Sequence, residues 1–225
     1  TERTDLSGFG EDVRVIEVFD DERSEPDAGI GLVLLDYYAR PTKRGGAWMS
    51  SFVPQSRMLG TRPVVVNVMN LARPAAGEPT LLTMDEVTTM FHEFGHALHG
   101  LLSDVEYPVF SGTSVPRDFV EFPSQDNEMW ARRPELLARY ARHVKTGEVI
   151  DDDLVERMHQ AERFGEGQAT VEYLGAALID LAWHSLSRAE AEAVNDVDEF
   201  EAAVLTDAGL DVPGIEPRYR SRYFQ

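Results

Sequence analysis

The chain is 225 residues long, with 40 acidic and 21 basic side chains and 43% hydrophobic residues, enough apolar content to bury a core and too much for a disordered chain. Its formal charge of −19 repels a phosphate backbone or an anionic bilayer, so nucleic acid and membrane surfaces are set aside as partners. Cysteine is absent, which excludes disulfides and thiolate metal sites and leaves His, Asp and Glu as the only strong metal ligands.

No apolar run approaches the roughly 18 residues of a membrane span. The sequence opens on Thr1-Glu2-Arg3-Thr4, without a basic segment followed by an apolar one. The expectation is a soluble, untargeted, cytoplasmic protein.

The first 70 residues carry strand signals over Val13 to Phe19, Ile30 to Tyr38, Ala47 to Val53 and Val64 to Met69. An acidic turn from Asp20 to Gly29 suggests a hairpin between the first two. Pro41, Gly45, Gly46 and Pro54 punctuate the rest, and Arg73 to Pro79 reads as a connector out of the sheet.

From residue 83 the period becomes helical. Thr83-Met84-Asp85-Glu86 is a capping box, followed by an apolar stripe of Val87, Met90, Phe91, Phe94, Leu98 and Leu101. A second helix is expected after Ser114, running through Phe122 to Trp130 with Pro123 inside it. A third spans Asp152 to Leu186, with possible breaks at Gly165, Gly167 and Gly175, and a fourth spans Val197 to Leu210. Strands followed by helices predict an α+β fold, mainly helical: a small sheet part over residues 1–80, then a helical part over 81–225.

His92-Glu93-Phe94-Gly95-His96 falls inside the first of these helices. The two imidazoles are one turn apart on the same face, with Cβ atoms about 5–6 Å from each other, so one metal ion can bridge them. Glu93 is rotated by about 100° from His92. It can reach a water at the metal but is poorly placed to be a third ligand, which makes it the expected general base. His99 lies one turn further on, too far along one helix to share a tetrahedral ion well. A two-His site needs a third protein ligand and an open position for water. Glu121, 25 residues after His96, is a candidate, with Asp118 and Glu128 as rivals on the same segment. His143, His159 and His184 have no partners at ligand spacing. Asp151-Asp152-Asp153 reads as a helix cap, and Gly165-Glu166-Gly167 is too short for a phosphate loop.

The stretch FHEFGHALHG from Phe91 to Gly100, then Ser111-Gly112-Thr113 and Arg117 to Gln125 (RDFVEFPSQ), resembles the signature of the thimet oligopeptidase and peptidyl-dipeptidase family of zinc metallopeptidases. Gly45 to Met49, and Arg62 to Val64 through Pro74 to Pro79, are similar to its bacterial peptidyl-dipeptidase branch. The resemblance implies zinc as cofactor, His92, His96 and Glu121 as its ligands, and Glu93 as the catalytic carboxylate. It also implies a zincin-type active-site helix with a helical bundle after it, and short peptides as substrates, most simply cleaved to release C-terminal dipeptides. The substrate would lie along an edge strand at Gly46 to Ser50, with Gly46, Ala47 and Trp48 binding it. Core packing is the competing role for Trp48 and Met49. Endo-acting oligopeptidase activity and a non-catalytic zinc-binding fragment are the alternatives; a purely structural site would not need Glu93 and would tend to have four protein ligands.

Family members are longer. They continue past a stretch like Arg218 to Phe224 into a loop whose His and Tyr face the scissile carbonyl. The resemblance therefore predicts a catalytic-domain fragment whose remaining parts belong to a full-length enzyme.

Overall fold

The computed structural model describes residues 1–20, 29–212 and 221. Most of the acidic turn from Asp20 to Gly29, and all of Arg218 to Phe224 except Ser221, lie outside the described residues. The chain divides into two compact units, Thr1–Ile150 and Asp151–Gln225.

The first unit opens with four strands, β1 (Arg14–Val18), β2 (Gly31–Tyr38), β3 (Trp48–Val53) and β4 (Val64–Leu71), each within two residues of its expected bounds. They form a mixed sheet in the order β1-β2-β4-β3. The expected pairing of the first two strands is present and antiparallel. β4 pairs parallel to β2 and antiparallel to β3, which makes β3 an edge. The near-continuous apolar sequence of β4, VVVNVMNL, suits its interior place, where both faces are covered.

Helix α1 (Met84–Leu101) starts at the capping box read from the sequence. The Thr83 hydroxyl accepts from the Glu86 N–H at 3.2 Å, and the Glu86 carboxylate accepts from the Thr83 N–H at 2.8 Å. Ala97 and Leu101 pack into a buried cluster with Ile30, Val33 and Val65, flanked by Met49 and Phe94. The sheet thus fixes one side of α1.

A single helix expected beyond Ser114 is in fact two, α2 (Arg117–Val120) and α3 (Phe122–Ala131), with the break at Glu121. Pro123 has no N–H to donate and its ring crowds the carbonyl four residues back, so it is accommodated in the first turn of a new helix. α2 and α3 together run antiparallel to α1: His99 meets Phe119, Phe91 meets Asn127 and Thr88 meets Arg132. A short α4 (Pro134–Tyr140), not foreseen from the sequence, closes this unit.

In the second unit, the long third helix expected from Asp152 is also two, α5 (Asp152–Arg163) and α6 (Glu166–Ser185). They part at Gly165, whose φ of +79° is open to glycine. Gly167 and Gly175 stay inside α6. Asp151 caps α5 as expected, accepting from the N–H groups of Asp153 and Leu154. α7 (Arg188–Ala193) precedes α8 (Val197–Asp207), and the Trp183 and Phe200 rings join α6 to α8 at 4.0 Å.

Candidate metal centre

α1 presents His92, Glu93 and His96 beside β3, and the break before α3 presents Glu121 to the same place. Nε2 of His92 lies 3.2 Å from Oε2 of Glu121, and Nε2 of His96 lies 3.1 Å from that same oxygen. One potential ligand atom from each of the three residues falls within 4.8 Å of the others. A tetrahedral ion with bonds of about 2.0–2.1 Å holds its ligand atoms about 3.3–3.4 Å apart. The two histidine–carboxylate separations come close to that spacing, and two imidazoles with one carboxylate are a donor set suited to zinc, so the residues fit the ion.

Two of the three donors, His92 and Glu121, are held from behind. Nδ1 of His92 pairs with Oε1 of Glu128 at 2.6 Å, which turns Nε2 toward Glu121. The Ser124 hydroxyl donates to the carboxylate of Glu121 at 2.9 Å and lies 2.8 Å from its carbonyl. Among the described residues, Nδ1 of His96 is buried without a hydrogen-bond partner. Of the rivals to Glu121, Glu128 reaches the far side of His92 and Asp118 is outside the cluster. Ser124, one turn after Glu121, escaped notice in the sequence, although a hydroxyl three residues from a carboxylate at a helix start is a recognisable signal.

The close approach of α1 and α3 depends on Gly95. A Cβ there would stand 2.6 Å from Cα of Ser124 and 2.7 Å from the carbonyl oxygen of Pro123, both backbone atoms that cannot swing aside. The amide of Asn127 then donates to the carbonyl of Phe91 at 2.6 Å and ties the helices together.

Glu93 is buried, with 7% of its surface exposed. Burial pushes its carboxyl pKa up, the Glu121 charge adds to that, and His92 and the Met49 backbone N–H oppose it. Burial also pushes His96 down, toward the neutral imidazole that a metal requires. The cavity in front of these groups is about 400 Å³ and is lined by Ala47, Trp48, Met49, His92, Glu93, His96, Thr113, Val120 and Glu121. Gly46 makes the turn into β3 with φ of +86°, outside that lining. Met49 also packs against the core cluster, the competing role read for it from the sequence.

The other histidines lie elsewhere. His99 meets Phe119 edge-on at 6.0 Å in a larger apolar cleft of about 680 Å³. The cleft's Ser103 and Asn127 are engaged in holding Gly112 and Phe91, and among the described residues it has no convergent set of ligands. His143 accepts from the Thr146 N–H in a turn, and His184 pairs with Asp180 one turn before it.

The profile of Peptidase family M3 matches residues 1–225. The chain is 51% identical over 225 residues to dipeptidyl carboxypeptidase of Escherichia coli K12, covering 99% of this chain and 32% of that protein. It is 41% identical over 188 residues to oligopeptidase A of Salmonella typhimurium, covering 82% of this chain and 27% of that one. To thimet-like oligopeptidase of Dictyostelium discoideum it is 36% identical over 187 residues, 81% of this chain and 27% of the relative. It thus spans about a third or less of the length of these relatives. With the whole of its sequence matched by the family profile, the chain belongs to Peptidase family M3.

Proposed function

We propose that this chain carries the zinc site of a peptidase that releases dipeptides from the free C-terminus of short peptides. The observation that carries the reading is the convergence of His92, His96 and Glu121 on one point, with Glu93 buried beside it and edge strand β3 alongside. The name of the Escherichia coli relative supports dipeptide release.

In this reading His92, His96 and Glu121 hold zinc from the zincin-type helix α1 and the start of α3. Zinc, when bound, supplies Lewis acidity at the scissile carbonyl and makes water acidic enough to ionise near neutral pH. The carboxylate of Glu93 takes the proton of the attacking water and passes it to the leaving nitrogen. Burial serves that role, because raising the Glu93 pKa makes it a stronger proton acceptor and a competent donor later. Residues 1–80 provide the wall along which the peptide extends, with Ala47 and Trp48 facing it and Gly46 turning the chain into β3. Residues 81–225 provide the helical part that bears the metal.

Among the described residues no helix is long and apolar enough to cross a membrane. The proposed setting is cytoplasmic. Because the chain spans 32% of the Escherichia coli relative, the activity is proposed for the full-length polypeptide, whose remaining parts are its partners in the reaction.

The test uses the zinc-loaded full-length protein and an N-acetylated tetrapeptide with a free or an amidated C-terminus. Release of a dipeptide from the free acid alone is expected, and Glu93→Gln should keep the metal while losing most turnover. Full turnover in that variant would remove Glu93 from the mechanism. Internal cleavage of both peptides would favour the endo-acting reading, which the 41% identity to oligopeptidase A keeps in view.

A further inference from the structure

One charged side chain stacked on a residue of the cavity wall has no part in the roles above. Arg44 stands in the loop between β2 and β3, and its guanidinium lies over the indole of Trp48, 5.1 Å from the ring centroid. Trp48 lines the cavity together with His92, Glu93, His96 and Glu121.

The loop that carries Arg44 is held on both sides. Nζ of Lys43, just before it, is buried and donates to the carbonyls of Asp36 and Tyr38 at 2.9 Å each, to the carbonyl of Met69, and to the Asp36 carboxylate at 3.2 Å. The amide of Asn70 on β4 donates to the carbonyls of Arg44 and Gly46 at 2.6 and 2.7 Å. The backbone of Arg44 is therefore pinned while its side chain is exposed. Nearby Arg40 and Arg73 pair with Asp36 and Asp12, but among the described residues no carboxylate engages the Arg44 guanidinium.

Position along β3 adds the next step. In the peptidase reading Glu93 acts on the water at the reacting bond, and Met49 lines the cavity with it. Two residues of extended chain beyond that bond span about 7 Å. For a peptide added antiparallel to β3, that length leads from Met49 past Trp48 toward the loop that bears Arg44. In a chain of net charge −19 the general field repels a peptide carboxylate, so holding one there calls for a local cation.

We propose that Arg44, stacked on Trp48, binds the free C-terminal carboxylate of the peptide substrate and thereby sets the cut two residues from its end. The inference rests on the peptidase reading above and names the residue behind its specificity. A guanidinium offers a planar pair of donors that matches a carboxylate, and the indole face orients the arm before the peptide arrives.

The test is calorimetric titration of the zinc-loaded full-length protein with N-acetyl-Ala-Phe and with its C-terminal amide, in the wild type and in Arg44→Gln. The same four combinations are read as kcat/KM on the N-acetylated tetrapeptides. The wild type should bind the acid about 10–100-fold more tightly than the amide, with the ratio shrinking as salt is raised. Arg44→Gln should lower acid binding to the level of the amide and leave the amide unchanged. The inference is overturned if the ratio survives in Arg44→Gln or is absent in the wild type. Hydrolysis and binding fail separately: a protein that prefers the acid through Arg44 yet cleaves neither tetrapeptide would contradict the peptidase reading and uphold the carboxylate site.

Discussion

Glu128 and His92, 36 residues apart in the chain, are joined by a hydrogen bond of 2.6 Å between a carboxylate oxygen and Nδ1. With Nδ1 donating to the carboxylate, Nε2 is left as an acceptor facing Glu121, the tautomer that a metal needs. Glu128→Ala should therefore weaken zinc binding about 10–100-fold without removing any ligand. Competition with a chelator of known affinity measures it. Unchanged affinity would mean that packing alone orients His92.

Gly95 sits where α1 and α3 touch. Gly95→Ala must push the helices apart, because its Cβ would meet backbone of Ser124 and Pro123 at 2.6 and 2.7 Å. A loss of about 1–3 kcal/mol is expected. At Gly100 the nearest obstacle is the flexible end of Met49, at 2.8 Å, so Gly100→Ala should cost less. Urea midpoints of the two variants give the comparison, and only Gly95→Ala should also loosen zinc, by shifting Glu121 away from the histidines.

Asp36 and Lys43 are buried together, with 4% and 3% of their side chains exposed. Burial pushes the Asp36 carboxyl up, but hydrogen bonds from Arg40 and Lys43 outweigh it and leave its pKa below the ordinary 3.8. A carboxyl with a lowered folded pKa adds stability above the unfolded value and loses it as pH falls through the folded one. The wild type should therefore lose stability progressively below about pH 4. In Asp36→Asn that acid limb should flatten, while the variant is less stable at pH 7 because Lys43 is left without its counter-charge. Denaturant titrations from pH 3 to pH 7 read both effects.

Local chemistry made much of this fold legible in the sequence. The capping box at Thr83 and the stripe from Val87 to Leu101 placed α1, and the apolar runs placed the strands. The insertion of β4 between β2 and β3 was not legible, since it depends on parallel pairing across a long connection. Pro123 was ambiguous for a different reason: in a sequence, a proline inside one helix looks the same as a proline opening the next. That ambiguity hid the break at Glu121. Spacing alone also left Asp118, Glu121 and Glu128 open, and only in three dimensions do Glu121 and Glu128 fall on opposite nitrogens of His92. Ser187 to Glu190 carried the same capping signal as Thr83, yet α7 is too short for an apolar stripe to confirm it.

The most direct test of the proposed metal centre is zinc stoichiometry and affinity in the wild type and in His96→Ala, Glu121→Ala and His99→Ala. The wild type and His99→Ala should bind about one zinc ion per chain with similar affinity, because His99 faces the apolar cleft. His96→Ala and Glu121→Ala should lose tight binding, because each removes one of the three converging donors. Tight, stoichiometric zinc retained in Glu121→Ala would contradict the assignment.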